Sequence, residues 1–568
     1  FKQTIEFFKK SGLEVGIWIG GFGHGSALLY EKNSEKRNEY QKLMGVMGES
    51  FEYGYCPLDE QFRKDYMQSV AELARLEPDI IMIDDDFRLN CRSYYFGCFC
   101  PLHLKEFYKL TGEEIPREQI EKFIFTGGKN KYRDAYMKMS HNTLVDFAGE
   151  VRKTIDTVNP KIRAGVCLTA DLWDASGTNP MELAYAFAGK TKPFLRPFGA
   201  PYYQQYDFIA QIEQQRMECS WIKNTDDEIE VFSEGDTYLE LFDIALLCDG
   251  KNDGILKYMF CYENNLSYEK RYIEKHIKNL ELRERTKKMF DGKKSTGIYV
   301  YNKYDLIKDW IIPETYSKGQ FGAIAEVMPY SYKLLSKNSI PTGHFETDYP
   351  VIVTGEHARY IPKDKLINGA VLDAVAAKIL TERGVDVGLL NIKTEENVTD
   401  EYFCEFENEI AKFFGNGLYN FQTSPQANIL SVFNPEKTPA SYTYENASGT
   451  RFLVYAADFK RIDSRDYFNN YYRRNQLIKA LEWVGRKKLP VVCQNNPNLY
   501  ILASKDSQGN MSVLLLNIFP DEIDDSVITL DKEYSSVKFE NCSGKLSGNR
   551  LYFSGIPAYG IAAFEVKR

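Results

Sequence analysis

The chain has 568 residues, 27% of them charged and 43% hydrophobic, with a mean hydropathy of −0.41. That size and balance exclude a disordered chain, a collagen-like fibre and a small disulfide scaffold, and no apolar run reaches the ~18 residues of a membrane helix. With 80 acidic against 71 basic residues, net −9, neither a membrane nor nucleic acid is expected as a partner, because phosphate binding rewards a basic excess. The length suggests roughly three to four domains, or one large barrel with additions.

Thr4–Lys10 reads as the end of a helix. Strands follow at Val15–Gly20, Ile80–Asp86, Arg163–Thr169, Phe194–Ala200, Glu230–Gly235 and Ile255–Glu263. Each comes after a longer amphipathic segment, such as Glu60–Leu76 or Asp134–Val158. Continuous apolar strands between helices predict a parallel sheet covered on both faces. Several strands end in polar or aromatic residues: Gly-Gly-Phe-Gly-His, Asp-Asp-Asp, Asp-Leu-Trp-Asp, Pro-Tyr-Tyr, Ser-Glu-Gly-Asp and Cys-Tyr-Glu. A closed barrel gathers such ends around one mouth, so an α/β fold of the (β/α)8 TIM-barrel kind is expected over residues 1–290. Six strands are counted; the first two of eight, the true start and any signal peptide are expected before Phe1. Residues 291–487 read as a smaller, flavodoxin-like α/β domain. Its elements are strand GIYVYN, helix EVMPYSYKLLSK, strand YPVIVTG, helix NGAVLDAVAAKILTERG, strand RFLVYAAD and helix RNQLIKALEWVG. Residues 488–568 alternate strongly between apolar and polar and predict a small antiparallel β-sandwich.

Most of the 11 cysteines sit singly in apolar stretches, as Cys167, Cys248 and Cys261 do, which fits a reduced chain and a cytoplasmic location. Cys98-x-Cys100-x-x-His103 is different, with Cys56 and Cys91 nearby. Thiolates and an imidazole at that spacing can supply three ligands of a tetrahedral zinc, a distant Cys the fourth; the other reading is a set of buried thiols in a tight loop. Such a zinc would be structural, with every position filled, and no catalytic cofactor is expected. Gly21-x-Gly23-x-Gly25 lacks the spacing of a dinucleotide fingerprint and reads as a turn at the barrel mouth. No phosphate loop and no His-Glu-x-x-His is present. No Gly-x-Cys-x-Gly elbow is present either, so the middle domain reads as non-catalytic.

Two strand ends carry candidate catalytic carboxylates: Glu234 in VFSEGD, and Asp84, Asp85 and Asp86 after IIMI. Three adjacent carboxylates repel and raise one another's pKa, and a protonated acid facing an ionised carboxylate is what glycoside hydrolysis needs. Trp18, His24, Arg88, Asn90, Trp173, Asp174, Arg196, Tyr202, Tyr203, Asp236, Tyr238, Tyr262 and Glu263 also fall near strand ends and are candidate pocket residues.

Barrel, α/β domain and β-sandwich in that order resemble the family 42 β-galactosidases of the clan A glycoside hydrolases. IMIDDDFRL followed by Cys-x-Cys-Pro-Leu-His-Leu is similar to their fourth strand and the loop after it. The resemblance implies Asp86 as acid/base, Asp85 in place of the usual Asn beside the sugar 2-hydroxyl, and Glu234 as nucleophile. It also implies a structural zinc on Cys56, Cys98, Cys100 and His103, and a homotrimer. An Asp acid/base paired with a Glu nucleophile looks closer to the family 164 β-mannosidases. The expected function is therefore a retaining, exo-acting β-glycosidase on an oligosaccharide or glycoside, β-mannoside first and β-galactoside second. Two alternatives belong to other classes. One is a divalent-metal sugar-nucleotide enzyme using Asp84-x-Asp86. The other is a non-catalytic, glycan-binding barrel.

Overall fold

The computed structural model describes residues 1–23, 39–89, 97–168, 179–197, 207–236, 240–258, 266–312, 330–394, 398–406, 409–412, 416–496 and 499–568, without the side chains of 234–236, 257–258, 266–269, 271–272 and 394. Contacts divide the chain into two units: Phe1–Gly199 with Ile222–Glu234 and Tyr304–Val327, and Ala200–Trp221 with Gly235–Lys303 and Met328–Arg568.

In the first unit the strands Gly16–Ile19, Ile80–Ile83, Arg163–Cys167, Phe194–Arg196 and Glu230–Asp236 lie side by side in chain order, each paired parallel with the next. Their register is in phase: Ile19 pairs with Ile83, Ile83 with Val166, and Cys167 with Arg196. The chain therefore leaves these strands along one edge of the sheet, the edge that carries Gly20–Gly21 and Asp84–Asp86. Helix Glu60–Ala74 starts where Asp59 accepts from the Phe62 N–H at 2.8 Å, satisfying one of the free donors of the first turn. It buries Phe62, Tyr66, Val70 and Leu73, spaced by helical turns. Phe62 and Tyr66 pack with Phe147 of helix Lys131–Val158, and Phe22 and Phe87 close the same aromatic layer. Arg133 of that second helix is fully buried and donates to the carbonyls of Ile124, Thr126, Gly127, Ile307 and Trp310, which fixes residues 304–312 to this unit.

The second unit holds the sixth expected strand, as Gly254–Tyr258, and a nine-stranded mixed sheet. Its parallel part runs Thr342–Gly343, Ile298–Val300, Val351–Val353, Ala370–Leu372, Arg451–Tyr455, the 2-1-3-4-5 order of a doubly wound sheet. Four antiparallel strands extend it: Thr438–Glu445, Asn428–Asn434, Asp400–Phe403 and Glu409–Lys412. A four-stranded and a five-stranded antiparallel sheet share one core, built from Val491, Ile528, Leu551 and Phe553 on one side and Ile501, Val513, Leu515 and Phe564 on the other.

Two local expectations are corrected. NGAVLDAVAAKILTERG is not one helix: Ala370–Leu372 is a strand, Asp373 caps by accepting from Ala376 N–H, and the helix is Ala374–Glu382. Only short helical turns, Ser331–Leu334 and Ser336–Asn338, form in the described part of EVMPYSYKLLSK, because Tyr330 (φ 55°) is left-handed and interrupts it and Ser339 (φ 59°), also left-handed, ends the second turn. The expected strand GIYVYN is present as Ile298–Val300 in the parallel sheet, and Lys294–Thr296 just before it pairs with Ala503–Lys505 in the five-stranded sheet. Gly297 (φ 132°) divides the two, and a Cβ there would stand 2.1 Å from the Pro341 carbonyl oxygen.

Candidate active site

Asp84, Asp85 and Asp86 leave the strand Ile80–Ile83 in a tight turn, where Asp84 N–H donates to the Ile19 carbonyl and Phe87 N–H to that of Asp84. The three carboxylates then diverge. Asp84 stays partly exposed, accepts from Asp85 N–H at 2.7 Å and faces Arg196 at 3.9 Å. Asp85 is half-buried, as is Arg88. Asp86 turns inward and is 4% exposed.

Its carboxyl lies against the glycine segment that follows the strand Gly16–Ile19. Oδ1 accepts from Gly21 N–H, and Oδ2 is buried with no hydrogen-bond partner among the described residues. A Cβ on Gly21 would come within 2.9 Å of Oδ1, and one on Gly23 within 3.4 Å of Oδ2. These glycines, expected only to turn the chain, make the room that the carboxyl occupies. Burial pushes the Asp86 carboxyl up to about 7; the Gly21 N–H opposes this, Asp84 and Asp85 add to it, and Arg88 lowers it. The expected direction holds, with desolvation rather than like-charge repulsion as the leading cause.

Arg196 is fully buried, with Trp18 stacked at 5.4 Å from its guanidinium and Cys167 and Asp84 beside it. Tyr66 went unrecognised in the sequence. It is fully buried on helix Glu60–Ala74, and its hydroxyl donates to the Gly20 carbonyl at 2.9 Å. A tyrosine on the apolar face of that helix needs a partner for its hydroxyl, and that need is the signal that could have found it.

Glu234 and Asp236 lie on the strand Glu230–Asp236, three places from the strand that leads to Asp86, with Arg163–Cys167 and Phe194–Arg196 between them, and their side chains lie outside the described residues. His24, Asn90, Cys91, Trp173, Asp174, Tyr202, Tyr203, Tyr238, Cys261, Tyr262 and Glu263 also lie outside them.

The cysteine–histidine set converges. One ligand atom from each of Cys56, Cys98, Cys100 and His103 lies within 4.8 Å of the others, and all four residues are fully buried. His103 Nδ1 is 3.2 Å from Cys56 Sγ and 3.5 Å from Cys100 Sγ. Met44 and Leu58 N–H groups donate to the sulfurs of Cys98 and Cys56, each at 3.4 Å. Three sulfurs and one imidazole nitrogen facing a common centre, with amides aimed at the thiolates, fit a four-coordinate zinc. Cys56 follows the hairpin strand Ser50–Tyr55, while the other three follow the Asp turn at the start of helix Pro101–Thr111, whose first helical residue is Pro101.

Among the described residues one other group could hold a cation, Glu240, Asp243 and His276, but Arg283 lies 3.2 Å from Glu240 and 3.6 Å from Asp243 and already neutralises it.

No family model and no curated protein matches the chain. Solved structures do. An α-L-fucosidase isoenzyme 2 from Paenibacillus thiaminolyticus is 11% identical, with 99% of this chain and 89% of that chain covered and a TM-score of 0.63. A β-galactosidase from Bacillus circulans sp. alkalophilus is 12% identical over 99% and 90%, with a TM-score of 0.63. Gan42B, a GH42 β-galactosidase from G. stearothermophilus, is 10% identical over 100% and 90%, with a TM-score of 0.61. At these identities the likeness is one of fold: the chain has, over nearly its whole length, an α/β fold that these glycosidases also have.

Proposed function

We propose that the protein is a retaining, exo-acting β-glycosidase. One observation carries the reading: a carboxyl that keeps its proton to about pH 7 sits at the end of a parallel strand, in a fold that solved β-galactosidases share. In this reading Glu234 attacks the anomeric carbon to form a glycosyl-enzyme. Asp86 gives its proton to the departing glycosidic oxygen and then takes one from the attacking water. A carboxyl separation of about 5–5.5 Å is required for this outcome. Asp85 takes the place beside the sugar 2-hydroxyl, and Trp18, His24, Arg88, Trp173, Arg196, Tyr202, Asp236, Tyr238 and Glu263 are the proposed surroundings of the sugar. The β-galactosidases among the similar structures favour a β-galactoside; the Asp/Glu pair favours a β-mannoside. Purified protein is to be screened on p-nitrophenyl β-galactoside, β-mannoside, β-glucoside and β-xyloside beside the Glu234→Gln variant. Hydrolysis of one glycoside, abolished in the variant, is expected. A variant as active as the parent sinks the nucleophile, and silence across this panel and an oligosaccharide panel sinks the enzyme.

The Cys56, Cys98, Cys100 and His103 set is read as a structural zinc site, which would tie the hairpin before Cys56 to the segment that follows the Asp turn. Elemental analysis is expected to find about one zinc per chain in protein purified without chelator. Cys98→Ser is expected to lose the metal and lower the melting temperature by several degrees. Metal-free protein with an unchanged melting temperature would remove this assignment. A homotrimer, implied by the family 42 resemblance, is proposed with it, and light scattering that gives a single-chain mass of 65.6 kDa would refute it.

A further inference from the structure

The carbonyl of Gly20 and the N–H of Gly21 belong to one peptide unit. Tyr66 donates its hydroxyl hydrogen to that carbonyl at 2.9 Å, and the N–H of the same unit donates to Asp86 Oδ1. We propose that Tyr66 is a positioning residue that acts on Asp86 through the Gly20–Gly21 peptide, a hydrogen-bonded relay that sets where the acid/base releases its proton. The proposal rests on the reading of Asp86 as acid/base.

Donation to a carbonyl oxygen draws electron density away from the amide nitrogen and makes the N–H a stronger donor, so bonds in such a chain reinforce one another. A stronger N–H stabilises the ionised carboxylate. The relay also fixes geometry. The peptide is held at both ends, between a buried helix and the carboxyl, and a Cβ on Gly21 would stand 2.8 Å from the Phe87 nitrogen. The phenol stays protonated because burial, and then the Asp86 charge, push its ionisation well above the ordinary range, so it remains a donor throughout. The titratable and charged groups around Asp86 are Asp84, Asp85 and Arg88 on its own turn and the neutral phenol of Tyr66 from the helix. All but Tyr66 act directly by charge.

The test compares Tyr66→Phe with Tyr40→Phe. Tyr40 also spends its hydroxyl on helix Glu60–Ala74, donating to Asp65 at 2.6 Å, but has no link to Gly20–Gly21. The measurements are kcat/KM against pH on the glycoside that the protein hydrolyses best, and the titration of Asp86 by 13C NMR of carboxyl-labelled aspartate, assigned by the signal that Asp86→Asn removes. Tyr66→Phe is expected to move the basic limb and the Asp86 titration upward together, by roughly half a pH unit. Tyr40→Phe is expected to move neither. Site-specific 3-fluorotyrosine at position 66 keeps the shape, donates more strongly, and is expected to move both downward. An unmoved Asp86 titration in Tyr66→Phe and in the fluorotyrosine protein overturns the proposal, as do equal shifts in Tyr66→Phe and Tyr40→Phe. If Tyr66→Phe does not fold, the fluorotyrosine protein alone decides. Shifted titrations in a protein that hydrolyses no glycoside would uphold the relay and refute the enzymatic reading, so the two fail separately.

Discussion

Asp86→Asn is expected to lose about 10²–10⁴-fold in kcat/KM and, at pH 8, to melt at a higher temperature than the parent. The loss follows from the proton: an amide accepts from Gly21 N–H as the carboxyl does, but has no proton to give the leaving oxygen. The basic limb near pH 7 should vanish with it, because an acid that must be protonated fails as pH rises through its pKa. The gain follows from linkage. Asp86 titrates at about 7 in the fold against an ordinary 3.8, so the stability owed to its protonated form is complete below about pH 4 and is lost as pH rises through 7. The rise from 3.8 to about 7 corresponds to roughly 4 kcal/mol. Asparagine never ionises, so the variant's melting temperature should fall less between pH 5 and 8. Parallel melting curves against pH in the two proteins would show that Asp86 is not the buried acid described. Such a trade of stability for a poised proton is common in active sites.

The second large effect is expected at Arg216 in the second unit. It is fully buried on helix Phe208–Thr225 and spends its guanidinium on five partners within the second unit. Nε donates to Asp249 at 2.9 Å; Nη1 to Glu213 at 2.8 Å, Tyr500 at 2.8 Å and Thr342 at 3.0 Å; Nη2 to Ser295 at 3.1 Å and to the Thr342 carbonyl at 2.9 Å. Burial alone would raise the Glu213 carboxyl, yet Arg216, with His344 at 2.8 Å, holds it well below the usual carboxylate range. Arg216→Met would leave Glu213 and Asp249 buried without their cation, a loss of about 3–5 kcal/mol in chemical denaturation. Adding Glu213→Gln and Asp249→Asn should recover part of it, since neutral groups cost less to bury. A single variant within 1 kcal/mol of the parent would show that the network contributes little.

What could be read from the chain divides along physical lines. Short-range patterns were legible. Strand ends announced themselves as apolar runs stopping at Asp84 and Glu234, and the Cys98–His103 spacing placed three candidate metal-binding side chains close together. Pairings that depend on distant residues were not. Gly21 and Gly23 look like a turn until Asp86, more than 60 residues later, fills the space they leave. Nothing local distinguishes Arg216 from a surface arginine, because its partners come from residues 213 to 500. Ala370–Leu372 reads as part of a helix because AVL fits either period, and the Asp373 cap that starts the helix after it lies inside an otherwise continuous apolar pattern. Periodicity places a strand at GIYVYN, but nothing in KSTGIYV shows that Gly297 sends the residues on either side of it to different sheets.

That division at Gly297 bears on how the C-terminal sheets can be handled. Lys294–Thr296 covers the outer edge of Tyr500–Lys505, and it reaches that edge from more than 200 residues upstream. Residues 488–568 expressed alone would carry a strand with unpaired N–H and C=O groups along a flat, apolar edge. Such edges recruit strands from other molecules. The isolated piece is thus a candidate for strand exchange, and a peptide spanning residues 290–298, supplied in trans, is its natural stopper.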